Sequence, residues 1–181
     1  MKIPKLDKKN ERLYKTMMFF WRLIILSIPL YIVLTFALDL GYLQYIVATQ
    51  SFSVLSFTGF AVAQEGPALT VGFDDETKQP FYFIISEDST GWKSMLFFAA
   101  LVLAVPDTRN KKKLMGLALL PAIWLGNLFR IWLIVWIERV YGFQSAMIAH
   151  DYLWRLGLIL LVVGLWFVWL KYAKPITKKN K

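Results

Sequence analysis

WKSMLFFAALVLAVPDTRNKKKLMGLALLPAIWLGNLFRIWLIVWI, residues 92–137, is the stretch whose reading decides the fold. Two apolar runs, 92–106 and 114–137, flank a polar turn carrying Arg109 and Lys111 to Lys113. A helix needs about 20 apolar residues to cross a ~30 Å hydrocarbon core, and the second run meets that length while the first, ending at Pro106, is short. The cations between them mark a cytoplasmic turn, because loops left inside carry the excess of Lys and Arg. The stretch therefore reads as a hairpin of two spanning helices with its outer ends at Trp92 and Ile137.

The rest of the chain fits that hairpin. Of 181 residues, 57% are apolar and 17% aromatic, and the mean hydropathy is +0.50, which places the chain among integral membrane proteins. Two more apolar runs, about 16–37 and 152–172, make four spans. The formal charge of +9 would suit nucleic acid, but fifteen of the 21 cations lie in three clusters: Lys2 to Lys15, the turn ending at Lys113, and the tail from Lys171. Clusters at span ends indicate cytoplasmic flanks and, at most, grip on anionic headgroups; they do not indicate a nucleic-acid surface. Both termini are then cytoplasmic, and residues 38–91 and 138–151, holding nine of the twelve acids, lie outside.

The expected architecture is an all-α membrane protein, one domain over residues 1–181, with about four transmembrane helices and an extracytoplasmic insert at 38–91. Within the insert, residues 43–63 (LQYIVATQSFSVLSFTGFAVA) read as an in-plane or re-entrant helix: a fifth span would put a basic cluster on the wrong side, and Gln50, Ser51, Ser53, Ser56 and Thr58 supply a side for water or headgroups. PALTVGF and PFYFIISE, joined by DDETKQ, read as a small β-hairpin. The first run resembles a secretory signal, but it is about 22 residues long with no small-x-small cleavage site, and so reads as a retained anchor in which Arg22 has a structural role.

Polar groups at depth in a membrane are costly and point to function. Asn127 and Arg130, three residues apart, share one face of the third span. At 1.5 Å per residue from Leu114, Arg130 stands about 24 Å up, near the outer interface. Ser89 to Trp92 (STGW) lie at that level where the second span begins, and His150, the sole histidine, precedes the fourth. Each has an ordinary alternative: a helix cap for Ser89, snorkelling for Arg130, a loop residue for His150. Their convergence supplies a hydroxyl at a helix start, an imidazole to take its proton and a guanidinium to meet an oxyanion, the parts of acyl transfer.

STGWKS before an apolar helix, then GNLFRI, then AHDYLW, resembles the exosortase and archaeosortase family of membrane cysteine transpeptidases, whose pattern is C-[ST]-G, N-x-x-R on the next helix, and His or a second Arg before the last. The resemblance covers residues 81–157 closely, and the short chain with Lys-rich ends favours the archaeal arm. It implies a reaction at the outer face on surface-protein precursors ending in a Pro-Gly-Phe-like or Pro-Glu-Pro-like motif, a transmembrane helix and a basic tail. An acyl-enzyme would pass the product to a lipid or other amine acceptor. By position, Ser89 takes the nucleophile's place, Arg130 the oxyanion-stabilising or orienting role and His150 that of general base or acid. Thr90 and Gly91 shape the turn beside the substrate, and Asn127 holds Arg130 or substrate backbone.

The chain departs from the pattern in having no cysteine. Thiols are about a few per cent ionised at neutral pH, whereas serine needs much stronger activation, so Ser89 leaves the enzyme slow or inactive. With the other motifs intact, the expectation is an inactivating Cys-to-Ser substitution rather than a natural serine enzyme. One histidine and scattered carboxylates make no metal-ligand set, and no glycine-rich phosphate loop appears, so neither metal nor other cofactor is expected. Two alternatives stand beside this reading: an intramembrane serine protease, which lacks its G-x-S-x-G setting here, and a non-enzymatic transport or assembly subunit in which Arg130 binds a headgroup.

Overall fold

The computed structural model describes residues 7–36, 39–72, 79–152 and 156–173. Parts of the sequence reading lie outside them: the extreme basic ends, residues 37–38 where the first apolar run gives way to the insert, the link at 73–78 between the two expected β-runs, and residues 153–155 at the start of the fourth apolar run.

The first apolar run forms α1 (Lys8–Leu26) and α2 (Ile28–Thr35). Pro29, at the start of α2, has no N–H to donate and crowds the preceding turn, so the ladder breaks at Ser27, whose hydroxyl donates back to the Leu23 carbonyl (2.8 Å). The hairpin of residues 92–137 forms α4 (Trp92–Ala104), α5 (Asn110–Leu117) and α6 (Leu120–Tyr141), the last two separated at Pro121 for the same reason. The C-terminal run is α8 (Leu158–Ala173). Two continuous stretches, Lys9–Thr35 and Asn110–Tyr141, are long and apolar enough to cross a membrane; α4 and α8, with 13 and 16 residues, are shorter apolar helices.

α4, α6 and α8 bury Phe98, Val102, Ile123, Val162 and Trp169 in one core. At the far end of α4 the lysines of the basic turn do structural work. Lys113 donates to the Leu103 carbonyl (2.8 Å), and Lys112 donates to the last carbonyls of α8, Ala173 (2.8 Å) and Tyr172 (3.2 Å). Cations there satisfy orphan acceptors and complement the helix dipoles. Lys15 of α1 pairs with Asp107 of the same turn at 3.0 Å. The N-terminal half of α1, the basic turn and the end of α8 therefore meet at one end of the bundle.

The insert differs from expectation in two ways. Its helix, α3, spans Gly41–Phe57 and stops before residue 63. Gly59, at φ +86°, ends it: the Gly59 N–H donates to the Ser56 carbonyl and the Phe60 N–H to the Leu55 carbonyl, each at 3.1 Å, while Leu55 and Phe60 pack together. This paired stop works because only glycine enters the left-handed region cheaply. The released residues form a further strand, so the expected hairpin is a three-stranded antiparallel sheet of β1 (Ala61–Glu65), β2 (Ala68–Gly72) and β3 (Phe81–Ile84), in that order. Gly66, at φ +60°, and Pro67 form the two-residue turn between β1 and β2.

α3 lies against α6. Trp124 donates to Gln50 (2.6 Å) and Trp132 to Thr58 (3.1 Å), eight residues further along both helices, so the two run in the same general direction. The polar residues expected to face water are thus divided: Gln50 and Thr58 bond α6, Ser51 is buried, and Ser53 and Ser56 are exposed. The segment expected as a connecting loop after Ile137 instead continues α6 to Tyr141 and then forms α7 (Phe143–Tyr152), packed on α6 and turned at Gly142, φ +81°.

Candidate active site

The link from β3 to α4 is a tight 3-10 turn, Glu87–Thr90, closed by the Ser89 N–H on the Ser86 carbonyl (2.9 Å) and by the Thr90 hydroxyl on the Glu87 carbonyl (2.8 Å). Gly91 then adopts φ +80°, ψ −1°, and α4 begins at the next residue. Any other residue would be strained there, and an added Cβ would lie 3.1 Å from Asn127 Cγ and 3.2 Å from its Cβ. Ser89 makes no side-chain cap to α4, so the capping alternative is excluded; its hydroxyl instead lies 2.9 Å from that of Ser86.

α6 holds this turn from behind. Asn127 donates through Nδ2 to the Ser89 carbonyl (2.8 Å), and Arg130 reaches the same oxygen through Nη2 (3.3 Å). Arg130 is only 5% exposed, so it does not snorkel. Its Nε and Nη1 have no hydrogen-bond partner, and no acid pairs with it among the described residues. A buried guanidinium with open donors is costly unless an acceptor arrives.

Ser89, Arg130 and His150 line one cavity of about 110 Å³, walled by β3 and its extension (Phe83, Ile85), by α6 (Ile131, Ile134) and by α7 (Met147). His150 stands in the last turn of α7, a helix rather than a loop, and its Nδ1 is 3.6 Å from Asp151 Oδ1, an ion-pair separation longer than a hydrogen bond. Ser89 Oγ and the imidazole share the cavity without a direct hydrogen bond. Thr90, Gly91 and Asn127 do not line it. Thr90 is fully buried, and all three act on the turn that presents Ser89.

Asp88, next to Ser89 in the turn, is paired with Lys93, which also sits over the Trp92 ring, 5.8 Å from its centroid. Among the described residues no group of three or more His, Asp or Glu could hold a metal ion. Two polar contributors escaped the sequence reading. Ser86 touches the Ser89 hydroxyl, three residues upstream in SEDST, and that spacing has meaning only once the 3-10 turn is known. Gln44 of α3 donates to the Ile85 carbonyl (3.1 Å), and this link between insert and cavity has no local sequence signal.

The chain matches the transmembrane exosortase family over residues 10–170. It belongs to that family, which is a class of membrane-embedded cysteine transpeptidases that sort surface-protein precursors. No curated protein and no solved structure matches it.

Proposed function

We infer that this chain is a sorting transpeptidase whose reaction centre is the cavity shared by Ser89, Arg130 and His150. One observation carries the reading: a buried guanidinium with two open donor nitrogens and no acid partner among the described residues opens onto the same small cavity as a hydroxyl and an imidazole. Such a group is set to receive negative charge.

In the reaction, the nucleophile at position 89 attacks a peptide carbonyl while His150 takes its proton. Charge builds on the carbonyl oxygen, where Arg130 stabilises it. The C–N bond breaks, the leaving amine receives the proton from His150, and an acyl-enzyme remains. An amine acceptor, a lipid headgroup among the candidates, then attacks the acyl carbon with His150 again as base and restores the nucleophile. Thr90, Gly91 and Asn127 keep the turn in place. Ser89 stands where the family has cysteine, and because serine does not ionise at neutral pH, the chain as it stands is a disarmed form.

The substrate is a surface-protein precursor with a C-terminal motif, apolar helix and basic tail. The cavity faces outward and both termini face the cytoplasm. This orientation agrees with the three-cluster charge bias and with the gathering of Lys15, Lys112 and Lys113 at the opposite end of α4, about 20 Å away at 1.5 Å per residue.

The test is co-expression of Ser89→Cys with such precursors, followed by mass measurement of the product. Loss of the tail with the thiol and not with Ser89 is expected, and added mass identifies the acceptor. Arg130→Lys keeps the charge but loses the planar fork, and His150→Ala removes the base; each should abolish processing by Ser89→Cys without lowering expression. Processing that survives both changes would refute the assignment. Equal processing by Ser89 itself would identify a natural serine enzyme.

A further inference from the structure

The cavity has an unused backbone edge beside it. β3 is an outer strand of the sheet and, among the described residues, pairs only with β2, through Val71↔Phe81, Leu69↔Phe83 and the positions between. The Ile85 N–H bonds the Pro67 carbonyl (3.0 Å), one step beyond Ala68↔Ile84 in the same register. In an antiparallel ladder, hydrogen-bonded and non-bonded pairs alternate. Phe81, Phe83 and Ile85 therefore direct their N–H groups toward β2, and the backbone N–H and C=O of Tyr82 and Ile84 point to the open side. Gln44 covers the Ile85 carbonyl, which Pro67 cannot bond because it has no N–H, so the position leading to Ser89 is tied down without using the free edge.

That edge opens on the reaction cavity. Phe81, Phe83, Ile84 and Ile85 all line it, with α6 and α7 supplying the other walls, and Ile84 precedes Ser89 by five residues along the chain. The other outer strand, β1, contributes nothing to the cavity. A cavity of about 110 Å³ accommodates one side chain of moderate size rather than a folded segment. Its lining is apolar apart from Ser89, Arg130 and His150. The complementary ligand is an extended chain: its main chain supplies donors and acceptors in strand spacing, and every second side chain turns toward the cavity.

We propose that the polypeptide substrate docks as an added strand on the free edge of β3, pairing with the backbone of Tyr82 and Ile84 and so delivering its scissile carbonyl to residue 89. The inference rests on the transpeptidase reading for the identity of the ligand, but its test is independent of turnover.

The test uses the full chain with Ser89 in nanodiscs. The probe is a synthetic peptide bearing a Pro-Gly-Phe or Pro-Glu-Pro motif within an extended flank, followed by an apolar helix and a basic tail. Amide hydrogen exchange at single-residue resolution should slow about tenfold or more at Tyr82 and Ile84 on saturation, with little change at Phe81 and Phe83, which are already in the ladder. N-methylation of the peptide should weaken binding about tenfold at alternate flank residues only, because strand pairing has a period of two. Ile84→Pro removes one outward donor without breaking the β2·β3 ladder, and should raise the peptide Kd by a similar factor at unchanged Tm. Peptide that binds without protecting these amides, or without the alternating N-methyl pattern, overturns edge docking while cleavage by Ser89→Cys would still uphold the enzyme. Failure of either peptide to bind also overturns it. Protection of Tyr82 and Ile84 with no cleavage by Ser89→Cys upholds the docking and rejects the transpeptidase.

Discussion

Gly91→Ala separates backbone strain from steric contact at the turn that presents Ser89. At φ +80° an L-residue costs about 1–2 kcal/mol relative to glycine. The new methyl group would also lie 3.1–3.4 Å from three atoms of Asn127, a side chain only 1% exposed with little room to retreat, and such overpacking adds about 1–3 kcal/mol. The expected total is roughly 2–5 kcal/mol. Gly59→Ala is the internal reference: φ is +86°, but nothing lies within 4 Å of the added carbon, so only the first part, about 1–2 kcal/mol, applies. Reversible unfolding in detergent, with the full chain, measures both. The contact part should vanish in an Asn127→Gly background, which removes all three atoms, Cβ included, so that the Gly91→Ala cost measured there falls to that of Gly59→Ala. In a Ser89→Cys chain, the proposed function predicts that Gly91→Ala also slows processing by about a hundredfold, since displacing Asn127 releases the carbonyl it holds and shifts residue 89. Equal costs at Gly91 and Gly59, or an excess at Gly91 that survives Asn127→Gly, would refute the account of the turn.

Three further outcomes follow from the packing. Lys112→Met should lower stability by about 1–2 kcal/mol through loss of the Tyr172 and Ala173 carbonyl contacts, and leave the processing rate of Ser89→Cys unchanged, as thermal unfolding and an activity assay would show. Gly116→Ala brings a carbon to 2.7 Å from Trp169 Nε1 and Val102 Cγ1 and should destabilise by about 1–3 kcal/mol, whereas Gly164→Ala in open space on α8 should stabilise by about 0.5–1 kcal/mol; equal signs would refute the packing. Arg130→Met should abolish processing and raise Tm, because it removes a buried charge whose Nε and Nη1 are unpaired while Asn127 still covers the Ser89 carbonyl, a gain of about 1–3 kcal/mol; a loss comparable to truncating Phe98 would refute this.

The sequence exposed what membrane burial penalises and concealed what local geometry decides. Arg130, Asn127 and the serine turn stood out because polar groups among apolar spans are costly, and the basic turn stood out because charge controls orientation. The end of α3 was misplaced since Ala61 to Ala63 continue an apolar helical composition; the stop lies in Thr58-Gly59-Phe60, a signal of backbone conformation rather than hydropathy. β1 was lost with it. α7 was hidden by its brevity between two longer runs, although Phe143, Ala146, Met147 and His150 recur at helical spacing, and two of them face the cavity. The contacts Gln50 to Trp124 and Gln44 to Ile85 join residues far apart in the chain, and no window of sequence contains both partners.

The shortness of α4 is the link between fold and chemistry. Its 13 residues extend about 20 Å against about 33 Å for the 22 of α6, which moreover starts only after α5, so α4, tied to the basic turn at its C-terminal end, ends well below the top of its neighbour. The space above α4 is taken by the 3-10 turn, with β3 and α7 beside it, and Arg130, about halfway along α6, reaches the turn from behind. A helix N-terminus with unbonded N–H groups and a buried guanidinium then lie beside position 89, and both stabilise an anion. A thiol there gains from them by ionising, and a hydroxyl, which stays protonated at neutral pH, gains almost nothing before the transition state. The surroundings of Ser89 therefore suit an ionised thiol, which supports the role proposed for position 89, and the truncated helix is what creates those surroundings.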